Sequence, residues 1–260
     1  MAAIEDPRGL KTYLEKESSA VEVSHRLHGP EFELFCDLAE FYERLGRLGR
    51  MKPQEAAGLA SPAKLFQVVM CQMYGVASQL LRRRILDADA LTRRAIEATA
   101  IAYRLWRHPD LCDVYEDAYP NHHKEDDPKQ WEPSSKYRKA FKLKKLFSEP
   151  EWGDLRSVYD AMSAGSTHAG PLATAFHIQE DATVLLDFIE RDNGVVRTTW
   201  NSMLNLYSEM LMMFLRILAG SAEPIAITAF EQDLRKWRVK AATITRQRHE
   251  WPPGGLQTPG

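Results

Sequence analysis

Five residues spaced by four and three, Leu91, Ala95, Ala98, Ala102 and Leu105, form a row with small side chains in its middle. On a helix this spacing puts all five on one face, and alanines at the centre of such a face let a second helix approach closely. A chain carrying this seam folds by laying helices against one another. Helical periodicity recurs along the sequence, and no period-2 stretch of useful length competes with it. The expected fold class is therefore all-α, a multi-helix bundle. Arg94 falls within the angular range of the seam and Glu97 at its edge, while Arg93 and Arg104 are expected to point outward. An unanswered buried guanidinium is costly, so Arg94 should meet Glu97, a carboxylate on another helix, or backbone carbonyls.

The same pattern predicts the other elements. Pro30–Arg50 carries Phe32, Phe35, Leu38, Tyr42 and Leu45 at helical intervals. Ser61-Pro62 reads as an N-cap followed by proline at the first helical position, opening a helix through Leu86. Asp87 or Asp89 caps the next helix, which stops at His108-Pro109. A short helix over 110–119 follows. Ser134 or Ser135 caps a basic helix to Phe147, and a helix begins at Asp154. Leu172–Asp192 mixes a short extended piece with a helix. Long helices then cover Val195–Ala219 and Pro224–Arg248. In domain terms, 1–29 is an N-terminal extension, 30–249 a single helical domain with a polar surface loop at 120–133, and 250–260 a coil tail expected to be disordered.

At 260 residues the chain can bury a core without disulfides or metals. With 44% hydrophobic and 27% charged residues and a formal net charge of −2, it is neither broadly disordered nor a general polyanion binder, so any nucleic-acid contact needs a local patch. Cys36, Cys71 and Cys112 lie far apart in apolar helical contexts and read as buried thiols in a reducing compartment. The acidic, proline-bearing N-terminus lacks the apolar stretch of a signal peptide. The most apolar run, Met203–Leu218, is interrupted by Asn205, Ser208, Glu209 and Arg216 and is shorter than the roughly 20 residues that span a bilayer. It reads as a buried core helix, and the expected location is cytoplasmic with no membrane contact.

The segment Asp154–Gly170, DLRSVYDAMSAGSTHAG, delivers a polar cluster to one helix end. Leu155, Val158, Tyr159 and Met162 form its apolar stripe, Gly165 is expected to break the helix, and His168 follows in the turn. His168 is a candidate general acid or base, oriented by Tyr159, Asp160 or Glu97; the alternative is a histidine that pins its own turn. Arg94 with Glu97 is a candidate oxyanion clamp, or a structural pin between helices. His122, His123, Asp126 and Asp127 crowd one loop, but nothing fixes their geometry and no metal is expected. Lys136, Arg138, Lys139, Lys142, Lys144 and Lys145 form an acid-free basic stretch interleaved with Tyr137, Phe141 and Phe147, with Trp152 nearby. Such a stretch can neutralise phosphates and stack bases, with Arg138, Lys139, Lys142 and Lys145 as the leading contacts; alternatively its apolar residues dock it while the lysines stay hydrated. There is no glycine-rich phosphate loop, nucleophile elbow or HExxH pair, and no cofactor is expected.

The elements LTRRAIEATAIAYRLWRHPDL and YDAMSAGSTHAG resemble a bacterial all-helical family of unknown function that pairs an R-x-x-E helix with a later S-x-x-x-x-H segment. The matching residues here are Arg94, Glu97, Ser163 and His168. The resemblance extends more weakly to HEPN-type helical bundles, some of which are metal-independent ribonucleases of antiphage or toxin systems. It implies a fold, a HEPN-like core with extra N- and C-terminal helices, rather than an activity; Arg94, Glu97, Ser163 and His168 are the candidate catalytic residues if the chain is a metal-independent ribonuclease. HEPN-type ribonucleases carry an arginine four to six residues before their histidine, whereas the nearest arginine before His168 is Arg156. The leading expectation is thus a helical partner-binding module whose Arg/Glu/Ser/His cluster is mainly structural. Its ligand is nucleic acid on the basic stretch, or a protein partner or second copy of the chain. The alternative is a nucleic-acid-acting effector that uses His168.

Overall fold

The computed structural model describes residues 9–48, 59–121, 129–148, 152, 155–166, 189–190, 192–219 and 224–249. Among these there are nine α-helices and no strand, so the all-α bundle is what the chain forms. The helices are α1 (Gly9–Leu48), α2 (Ala60–Leu81), α3 (Ile85–Arg107), α4 (Cys112–Glu116), α5 (Ser135–Ala140), α6 (Leu143–Leu146), α7 (Leu155–Ser166), α8 (Asn193–Leu218) and α9 (Pro224–His249).

Helix α1 bends at His28, whose φ/ψ of −121° and 19° leave the helical region two residues before Pro30. Proline has no amide hydrogen and its ring crowds the carbonyl one turn back, which accounts for the bend. Residues 9–27 therefore form helix too. Glu17 in that half reaches Arg84 at 3.5 Å and Arg82 at 3.7 Å on the α2–α3 turn. That turn closes α2 with a left-handed residue, Arg83, at φ 61°. The amide of Arg83 donates to Leu80 O and that of Arg84 to Gln79 O, the pairing that satisfies a helix C-terminus. An arginine in this conformation costs about 1–2 kcal/mol. Two contacts offset that cost: Glu190 N donates to Arg83 O at 2.9 Å, and Arg83 Nη2 donates to Asn193 Oδ1 at 2.5 Å.

Helix α8 lies at the centre. Trp200 is fully buried and meets the edges of Phe32 and Phe35 from α1. Tyr42 donates to Tyr207 O at 2.8 Å, and Phe66 of α2 packs on Phe214 at 5.1 Å. On the seam, Ala95, Ala102 and Leu105 are fully buried, Ala98 is 6% exposed and Leu91 is half-buried. Thr92 beside the seam donates to Met203 Sδ at 3.0 Å, so α3 lies against α8 as well as α2.

Several local expectations are corrected. Ser61 lies inside α2 rather than capping it, because the helix begins one residue earlier and the hydroxyl instead donates to Glu116 Oε1 at 2.5 Å. Neither Asp87 nor Asp89 caps α3, which starts at Ile85; Asp87 pairs with Arg84 in the first turn. Cys71 is exposed, since the buried face of α2 runs through Leu65, Val69, Met73, Val76 and Leu80, and position 71 falls on the opposite side. Cys36 and Cys112 are partly buried, and burial raises both thiols above their ordinary value.

Candidate functional site

Helix α3 has a second covered face. Asp89, Arg93, Glu97 and Arg104 recur at intervals of a turn or two, so they form a stripe of their own. Above it lie α6 and α7. Arg93 Nη2 donates to the Tyr159 hydroxyl at 3.0 Å, and its guanidinium stands 5.0 Å from the Tyr159 ring centroid. The same hydroxyl reaches Glu97 Oε2 at 3.5 Å. Arg104 Nε donates to Ala140 O at 3.0 Å and Nη1 to Lys145 O at 3.5 Å, so one guanidinium serves carbonyls near the C-terminal ends of both α5 and α6. Cations at helix C-termini are well placed both as donors and against the helix dipole.

The expected orientation of the two arginines is thereby reversed. Arg94 is exposed, and Arg93 is the half-buried residue that reaches α7. The alanine seam by itself implies one buried face for α3. Because α3 is packed on two sides, the arc that the seam assigns to solvent is the arc under α7. Glu97 is where it is needed, next to Tyr159. Ser163 lies on α7, half-buried, one turn beyond Tyr159. His168 lies outside the described residues, as do His122, His123, Asp126 and Asp127 and the segments 172–188 and 250–260. Asp89, which the sequence suggests only as a cap, opens the stripe one turn before Arg93. Burial pushes its carboxyl up to about 7.

The basic stretch is two short helices rather than one. Ser134 caps α5 by accepting from Tyr137 N at 3.2 Å, as expected, but the helix ends at Ala140 and Lys142 is extended, with φ/ψ of −61° and 139°. In a continuous helix Phe141 and Leu146 would lie roughly 140° apart around the axis. The break turns Leu146 back toward the core, and both residues are buried. Tyr137 and Phe141 dock against Tyr115, while Phe147 packs on Trp152 and Tyr159. Burial pushes the Tyr137 hydroxyl up to about 12. With these apolar residues so engaged, the stretch leaves Lys136, Arg138, Lys139, Lys142, Lys144 and Lys145 all exposed. Arg138 is tied to Glu132 and to Pro133 O.

Two exposed aromatics beside α5 escape a reading of the sequence. Trp131 is 69% exposed and Tyr119 40%, and their rings meet edge-on at 6.3 Å. Ser134 N donates to Ala118 O at 2.8 Å, which ties the loop bearing Trp131 to the end of the α4 region. The available signal is a tryptophan in an otherwise polar loop, five residues before the first lysine of the basic stretch.

Elsewhere, the buried Glu31 faces Arg197 at 3.9 Å near the bend of α1. Hydrogen bonds from Ser61 and then Lys64 hold the Glu116 carboxyl below its ordinary value. No cluster of metal-ligating residues occurs among the described residues, and none of the described helices is long and apolar enough to cross a membrane. Comparison with family models, curated proteins and solved structures gives no match for this chain.

Proposed function

We propose that the protein is a helical partner-binding module whose ligand is a nucleic acid held on the α5–α6 surface. The observation that carries this reading is the exposure of all six cations of 136–145 together with the burial of Ala140, Phe141 and Leu146 among them. Only Arg138 of the six is paired with an acid among the ion pairs of the described residues. A cationic surface on a chain of formal net charge −2 concentrates positive potential locally, which is the electrostatic condition for phosphate binding. The Arg93–Tyr159–Glu97 contacts have a structural part in this reading: together with Arg104 they hold the layer that displays the lysines.

The test is binding of a labelled mixed-sequence RNA across a salt series, for wild type and for the variant Lys139→Gln/Lys142→Gln/Lys145→Gln. Each phosphate that the variant no longer neutralises should reduce the slope of log affinity against log salt by about 0.7–0.9. Absence of binding by wild type at low salt, or an unchanged slope in the variant, removes the proposal.

A further inference from the structure

We infer that Trp131, backed by Tyr119, is a base-stacking platform that makes the α5–α6 surface select single-stranded over double-stranded nucleic acid. This rests on the reading of that surface as a nucleic-acid site and adds a substrate class to it. Trp131 is the most exposed aromatic of the described residues, at 69%. Its indole is a large, flat, two-torsion side chain with open area beside a row of lysines, the combination on which single-stranded bases stack.

The platform is held in place by more than its neighbour in sequence. Glu132 N donates to Lys129 O at 2.9 Å and closes a turn around Trp131, and Ser134 N to Ala118 O at 2.8 Å anchors the loop beside Tyr119. Arg138 then fastens the loop to α5 through Pro133 O at 2.9 Å. The backbone that carries Trp131 is therefore tied to the first turn of α5. Lys136 follows Trp131 by five positions, so their Cα atoms are at most about 18 Å apart.

The Tyr119 ring meets Trp131 at an interplanar angle of 65°. In an edge-on pair the two rings do not cover one another face to face, so an aromatic face remains for a base. Bases within a duplex are stacked on each other and offer no free face, whereas those of a single strand can splay onto an aromatic side chain while lysines follow the backbone. An anionic lipid surface fits less well. Ala140, Phe141 and Leu146 of the α5–α6 stretch are turned into the core, and Leu143 alone, 39% exposed, makes no apolar stripe to enter a bilayer.

The experiment measures binding of wild type, Trp131→Ala, Trp131→Phe and the triple lysine variant to a single strand, to its duplex and to phosphatidylserine-containing vesicles, with helix content of each variant checked by circular dichroism. Trp131→Ala should lose roughly tenfold in affinity for the single strand and leave duplex affinity unchanged, with most of the loss restored in Trp131→Phe. Equal affinity of Trp131→Ala and wild type for the single strand, equal losses on strand and duplex, or preference for vesicles overturns the inference. If the lysine variant loses binding while Trp131→Ala does not, the platform falls and the nucleic-acid surface stands. If wild type binds neither nucleic acid, both fall.

Discussion

Toward α2 and α8, helix α3 presents Ala95, Ala98, Thr99, Ala102 and Leu105; toward the layer of α5, α6 and α7 it presents Arg93, Glu97 and Arg104. The first face works by volume. Small side chains bring backbones together, and almost every atom removed from water is apolar, so energy is spread over many weak contacts. The second face works by direction. A few hydrogen bonds and one cation over an aromatic ring fix how three short helices, which also bury Phe141, Leu146, Leu155 and Tyr159, sit on α3. Cores of the first kind tolerate the loss of no large side chain, whereas layers of the second kind depend on single donors and can be loosened without unfolding the bundle.

That contrast breaks most readily on the dry side. Trp200→Ala empties the centre of the packing between α1 and α8 and should lower stability by about 3–5 kcal/mol, read as a shift in the denaturation midpoint. A shift comparable to that of a surface variant would mean that α8 is not the shared core element. On the polar side, Arg93→Ala should cost about 1–3 kcal/mol, because the Tyr159 hydroxyl loses its donor and the Tyr159 ring the cation beside it. Hydrogen exchange should rise first in α7 while α8 stays protected. Uniform loss of protection would show the two faces to be one cooperative unit.

Titration sharpens the comparison further. Burial raises the folded Asp89 carboxyl from its ordinary 3.8 to about 7, so the folded chain holds a proton there that the unfolded chain has released. The stability tied to that proton is fully present below 3.8 and is lost as the pH rises through about 7. Asp89→Asn should flatten this decline in a series of melts at different pH; a wild-type profile already flat over that window would refute it. The smallest effect belongs to Arg94→Ala, within about 0.5 kcal/mol because the side chain is exposed. Sequence reasoning alone ranks these two arginines the other way round, so an Arg94 cost larger than that of Arg93 would restore the single-face picture of α3.

The long elements were legible because their apolar residues repeat over several turns: the seam of α3 and the Met203–Leu218 run both lie in the core. What periodicity could not supply was how many sides of a helix are covered. It therefore aimed Arg94 inward and Arg93 outward, and sent Cys71 into the core. The basic stretch failed for a related reason: local propensity favours one helix, while burial of both Phe141 and Leu146 requires a break between them. Of the site, the cationic surface could be seen in composition and Glu97 in its motif. Trp131 could not, since a lone aromatic in a polar loop carries no period and its neighbour Tyr119 lies twelve positions away in the sequence.

The central position of α8 also has a consequence for the order in which the chain is made. Phe32, Phe35 and Tyr42 emerge early, yet their partners Trp200 and Tyr207 are some 165 residues further on. At roughly 5–20 residues per second of synthesis, the inner faces of the early helices wait on the order of ten seconds or more for α8. Helices α2 and α3, joined by a tight turn, can pair during that time as a local hairpin. The half-made bundle must then either stay open or be kept from self-association until its last core helix slides in, which makes nascent-chain handling a larger demand on this protein than on a bundle whose neighbours in space are also neighbours in sequence.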